Sequence, residues 1–60
     1  MPTKTIALIE DTPASLGVIR HYLQKNHPDL RIVGDAASVD DGYALLTRHQ
    51  PDIALLDVQI

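Results

Sequence analysis

Cysteine is absent, which excludes disulfide cross-links and thiolate metal sites and fits a reducing compartment. A basic excess is absent too. Five Lys and Arg against eight Asp and Glu give a net charge of −3, and no basic footprint for nucleic acid. No apolar run approaches the ~20 residues that span a bilayer. The opening Met-Pro-Thr-Lys-Thr runs straight into a strand-like segment, without the apolar h-region of a signal peptide. Repeats, low-complexity tracts and linkers are missing as well. A soluble cytoplasmic domain with neither nucleic-acid nor membrane partners is expected.

What is present is a chain of 60 residues, 45% hydrophobic, enough for one small domain with a marginal core. A chain of this size buries only roughly 60% of the surface its unfolded form exposes. Small scaffolds commonly add a metal or a partner chain to offset the entropy of ordering.

Short apolar runs alternate with amphipathic stretches. Thr5 to Ile9 reads as a strand buried on both faces, closed by the acidic pair Glu10-Asp11. Thr12 suits a helix N-cap and Pro13 the first helical position. Leu16, Ile19 and Leu23, with Tyr22 beside them, form an apolar stripe at helical spacing. Asn26-His27-Pro28-Asp29 stops that helix, because a residue before proline avoids the helical region. Leu30 to Ala36 reads as a second strand. Ser38 followed three positions later by Asp41 resembles a capping box. The next helix carries Val39, Gly42, Tyr43 and Leu46 on one face and ends at Gln50-Pro51-Asp52. Gly42 inside it costs ~1 kcal/mol relative to alanine, a loss that close packing on a sheet would offset. Ile53 to Leu56 reads as a third buried strand, ending in Asp57.

The order β-α-β-α-β predicts an α/β fold with a parallel sheet and crossover helices. Asp11 and Asp57 close the first and third strands, and they meet only if those strands are neighbours. That gives a three-stranded sheet of order 2-1-3. Its two right-handed crossovers run in opposite directions, so the helices lie on opposite faces. The first and third strands then flank the switch point where open α/β sheets bind ligands.

Acidic residues at the ends of buried strands must point into that crevice or into solvent. Converging carboxylates repel one another. A hard divalent cation relieves the repulsion, and Mg²⁺ suits one or two carboxylates completed by waters and phosphate oxygens. A backbone carbonyl just past Asp57 is a further candidate ligand. A carboxylate beside such an ion is placed to accept a phosphoryl group as an acyl phosphate.

Ile9-Glu10-Asp11, and Pro51-Asp52-Ile53-Ala54-Leu55-Leu56-Asp57-Val58 after it, resemble the receiver domain of bacterial response regulators. Asp35-Ala36-Ala37-Ser38-Val39 is similar to that family's second strand and helix start. The resemblance runs from about Lys4 to Ile60. It implies a flavodoxin-like, doubly wound fold of five strands and five helices, of which residues 1–60 match the N-terminal half. It implies Asp57 as the phosphorylated aspartate, Asp11 as a direct Mg²⁺ ligand and Glu10 as the acidic partner that reaches the metal through water. Gln59 matches the position whose backbone carbonyl coordinates the metal. The implied phosphodonor is a sensor histidine kinase or a small phosphodonor, so the chain is a phosphoacceptor rather than an enzyme. The family's hydroxyl residue on the fourth strand and lysine on the fifth have no counterpart in this sequence.

Two other readings compete. The run Ile53 to Leu56 is an apolar edge strand if nothing pairs with it, and such edges join other chains. A self-associating half-domain with no phosphoryl chemistry of its own is the expectation there, a homo-oligomer built through the third strand. An aspartate-nucleophile enzyme such as a haloacid-dehalogenase-like phosphatase fits less well, because Gln59 stands where that family wants a second aspartate. Glu10 also has a plain role available, since an acidic residue near a helix N-terminus favours the helix dipole. Asp35, Asp40 and Asp41 read as a cap and a solvated first turn. His21, His27 and His49 share no metal-binding spacing and read as surface residues.

Overall fold

The computed structural model describes residues 3–57. Five elements follow the expected order: β1 (Lys4–Glu10), α1 (Pro13–Asn26), β2 (Leu30–Ala36), α2 (Val39–His49) and β3 (Ile53–Asp57). The three strands form one parallel sheet in the order β2-β1-β3. The expected Gln59 carbonyl lies outside the described residues.

β1 is the centre of the molecule. Ile6 through Glu10 are all buried, because β1 has a strand on each side and a helix over each face. Successive side chains of a strand alternate between faces. Ile6 and Leu8 point to the face where Leu16, Ile19 and Leu23 of α1 pack. On the other face, Gly42 of α2 lies over Ile9. The chain moves one way across the sheet from β1 to β2, and back past β1 to reach β3. Helices on opposite faces give both crossovers the same hand, as twisted parallel sheets require.

β2 carries an irregularity beside Gly34, which the reading of Leu30 to Ala36 as a plain strand did not include. Ile6 pairs with Ile32 but Ala7 pairs with Gly34, leaving Val33 as an extra residue. Such a bulge shifts the alternation by one. Ile32 therefore joins the core under α1, whereas Gly34 faces α2, and Asp35 returns to the α1 side to pair with Arg20. Asp35 lies in β2, within the expected strand Leu30 to Ala36; it pairs with Arg20 rather than serving as a cap or part of a solvated first turn.

α1 begins as expected at Thr12 and Pro13, but the Thr12 side chain makes no capping bond. Tyr22 departs from the expected stripe. It is exposed, and its ring lies 5.8 Å from that of His27 at the helix end. In α2, Ser38 accepts a hydrogen bond from the Asp41 N–H, as the cap predicts. The packed face is Gly42, Leu45 and Leu46, rather than Val39, Gly42, Tyr43 and Leu46. Tyr43 is 73% exposed. Gly42 explains the difference: with its bare Cα pressed onto Ile9, the residues three and four positions later turn inward. Gln50 closes α2 in the left-handed region at φ 45°, the conformation helices use to stop.

β3 is not the buried strand expected. Only Leu55 is half-buried, and Ile53, Ala54, Leu56 and Asp57 are exposed. Both helices lie over β1 and β2, so β3 forms an edge with little covering either face. A polar clamp fixes where it begins. The Asp52 carboxylate accepts from the Thr5 N–H at 2.8 Å and from the Thr5 hydroxyl at 3.1 Å. The Thr5 hydroxyl in turn accepts from the Asp52 N–H at 3.0 Å.

Candidate functional site at the carboxyl ends of the strands

The clamp at one end of β3 sets the register at the other. From Ile6 opposite Ile53, the pairing runs without a slip to Glu10 opposite Asp57. Residues in register on neighbouring parallel strands share a face, and the strands lie about 4.8 Å apart. Glu10 and Asp57 therefore project side by side on the α1 face. Sequence reasoning paired Asp11 with Asp57; the register gives that place to Glu10, while Asp11 stands in the bend that leads to α1.

Glu10 is 3% exposed. Its Oε1 accepts from the Thr12 N–H at 3.0 Å, and its Oε2 is buried with no hydrogen-bond partner among the described residues. Thr12 was expected to cap α1 with its hydroxyl; what it supplies to Glu10 is its backbone N–H. Burial pushes the Glu10 carboxyl above the ordinary glutamate range. The Thr12 bond opposes that shift, and contacts with the Asp57 and Asp11 carboxyls add to it. Asp11 is exposed and accepts from the Thr12 hydroxyl at 3.4 Å. Glu10 is thus in contact with both Asp57 and Asp11, and of the three it is buried while the two aspartates are exposed.

Their arrangement stops short of a closed metal cage. Among the described residues, no group of three or more His, Asp or Glu side chains stands ready to hold an ion. The donor chemistry still suits a hard cation, being all carboxylate oxygen with one buried oxygen unpartnered. Beside Asp57, a shallow cleft of about 380 Å³ is lined by Ala14, Ser15, Val18 and Ile19 of α1. It gives the carboxylate access to a ligand on the α1 side.

His21, His27 and His49 are exposed, as expected. Asp40 and Asp41 occupy the first turn of α2, also as expected. Sequence reasoning missed the Thr5–Asp52 clamp. A hydroxyl at the start of one strand and a carboxylate just before another were its only signal. No helix among the described residues is long and apolar enough to cross a membrane.

The sheet and the carboxylates at its carboxyl end define the class, an α/β chain of β-α-β-α-β topology with an acidic crevice at its switch point. No family profile matches it, and no solved structure matches it. The chain is similar to protein-glutamate methylesterase/protein-glutamine glutaminase 2 of Methanospirillum hungatei JF-1, with 31% identity over 55 residues. That match covers 92% of this chain and 15% of the relative. The similarity supports a response-regulator-like chain.

Proposed function

We propose that the chain is the phosphoacceptor part of a response-regulator receiver, with Asp57 as the acceptor. The observation that carries this reading is the register of Glu10 with Asp57, which sets a buried and an exposed carboxylate side by side at the switch point, with Asp11 next in the chain. Asp11 and Asp57 would hold Mg²⁺, with Glu10 behind them through water. Mg²⁺ commonly takes only one or two carboxylates, so no three-ligand cage is required. When bound, the ion neutralises charge on the carboxylates and on the transferred phosphoryl oxygens.

The protein's own groups do the rest. An Asp57 oxygen forms the new bond to phosphorus as the bond from phosphorus to the donor's imidazole nitrogen, or to its acyl oxygen, breaks. The leaving group takes the electron pair. The Thr12 N–H holds Glu10 in place, and Glu10 in turn presses its charge against Asp57. A sensor histidine kinase in the cytoplasm is the donor this chemistry fits. The activities in the relative's name belong to a protein of which this chain spans 15%, and they are not carried over.

The test is incubation with a small acyl phosphate and Mg²⁺, followed by intact-mass measurement. The expected result is a gain of one phosphoryl group that hydroxylamine removes and that Asp57→Asn abolishes. An unchanged wild-type mass, or labelling that persists in Asp57→Asn, would count against the proposal.

A further inference from the structure

We infer that Ser15, in the first turn of α1, donates a hydrogen bond from its hydroxyl to the phosphoryl group that Asp57 accepts. The inference rests on the phosphoacceptor reading and adds to it a contact on the α1 side.

Ser15 differs from the other hydroxyl residues of the fold. From Thr5 to Thr47, each of the other serines and threonines has its hydroxyl engaged. Thr5 bonds to the Asp52 carboxylate, Thr12 to Asp11, Ser38 to the Asp41 N–H and Thr47 to the Tyr43 carbonyl. The Ser15 hydroxyl has no hydrogen-bond partner among the described residues, although the residue is half-buried. A serine or threonine in a helix can turn its hydroxyl back onto a carbonyl of the preceding turn, as Thr47 does. Ser15 keeps its donor available.

That donor stands in the cleft beside Asp57. Of the residues lining the cleft, Ala14, Val18 and Ile19 are apolar, and only Ser15 and Asp57 carry polar side chains. Both belong to regular elements. Asp57 is held in register at the end of β3, and Ser15 lies two positions after Pro13 opens α1. A fixed donor and the acceptor carboxylate thus share one space of about 380 Å³.

The chemistry of the site calls for a donor there. The carboxylates of Glu10, Asp11 and Asp57 offer oxygens that accept, and a phosphoryl group adds negative charge. Phosphoryl transfer depends on positioning and on stabilising the charge spread over the transferred oxygens. Within the cleft Ser15 is the side chain that can donate to one of them, in a bond strengthened by the charge of its acceptor. The positive end of the α1 dipole acts in the same sense. Ser15 takes no part in bond making, and its proton stays on its own oxygen.

The test is a time course of labelling by a small acyl phosphate with Mg²⁺, read by intact mass, for wild type, Ser15→Ala and Ser15→Thr. Alanine favours a helix more than serine does, so Ser15→Ala is expected to keep the circular dichroism of wild type. It is expected to label about tenfold more slowly, as the loss of one hydrogen bond to a charged group implies, whereas Ser15→Thr keeps the hydroxyl and is expected to stay within about twofold of wild type. Equal rates for wild type and Ser15→Ala would overturn the inference and leave the phosphoacceptor reading standing. Ser15→Thr labelling as slowly as Ser15→Ala would also overturn it, by assigning the effect to packing. A wild-type chain that takes no label would overturn both.

Discussion

Gly17 and Gly42 both sit in helix interiors, and the same substitution should have opposite effects at the two. Alanine in place of glycine gains about 1 kcal/mol of helix propensity at either position. Around Gly17 in α1 nothing lies within 4 Å of the added Cβ, so the full gain should appear. At Gly42 in α2 the same Cβ would stand 2.8 Å from Ile9 Cδ1 and 3.0 Å from its Cγ1 and Cγ2. Comfortable carbon contacts begin near ~3.5 Å. Ile9 is 1% exposed and has no empty space to enter. Overpacking of this kind costs about 1–3 kcal/mol. The net effect of Gly42→Ala is therefore a loss of about 0–2 kcal/mol. A 60-residue domain has roughly 3–9 kcal/mol in total, so the loss is a sizeable share. In a domain this small each 1 kcal/mol moves Tm by about 4–8 °C. Thermal unfolding followed by circular dichroism should show Gly17→Ala melting higher than wild type and Gly42→Ala melting lower. Ile9→Val removes Cδ1, the closest contact, so Gly42→Ala should cost less in that background, with a coupling on the order of 0.5–1 kcal/mol. If Gly42→Ala stabilises as much as Gly17→Ala, α2 does not rest on Ile9, and the account of its packed face is wrong.

Three further predictions concern the core and the carboxylates. Leu8 is fully buried, and Leu8→Ala should cost about 2–5 kcal/mol. In urea titrations the midpoint should fall well below that of wild type, with the slope unchanged. The folded-state pKa of Glu10 lies above its ordinary 4.5, first through burial, so the folded chain binds the extra proton. Stability should therefore fall as pH rises from 4.5 through the raised value. In chelator-treated buffer Glu10→Gln should melt higher than wild type at neutral pH and flatten that slope. Asp52 has the opposite sign. Its pKa is lowered from 3.8, first by the Thr5 N–H bond and then by the Thr5 hydroxyl. Its contribution is present above 3.8 and is lost as pH falls through the lowered folded value. Hydrogen exchange in β3 should accelerate in that acid window, and Asp52→Asn should remove this dependence.

The topology was legible because chemistry constrained it. Two acidic strand ends that must meet fix the order β2-β1-β3, and the cap at Ser38 and the stop before Pro28 follow from local backbone rules. What escaped notice depends on neighbours. β3 has the composition of a central strand, yet its burial is set by what lies beside it, and among the described residues that is β1 alone. The rotation of α2 depends on Gly42 meeting Ile9, a contact between residues far apart in sequence, so Tyr43 was taken for an inward residue. The bulge at Val33 moved Asp35 to the face of Arg20, and its one mark in the sequence, Gly34 inside a strand, was not read as a bulge. At the site, the acidic residues were identifiable one by one. Which of them is buried follows from the register that the Thr5–Asp52 clamp sets.

The central claim is that Glu10, Asp11 and Asp57 act together on a divalent cation. Titrating Mg²⁺ into the isotopically labelled chain while following its amide resonances tests this most directly. The account predicts saturable shifts confined to Glu10, Asp11, Thr12 and Asp57, weakened at least tenfold by Asp57→Asn. No shift at those amides, or the same titration in Asp57→Asn, would contradict it.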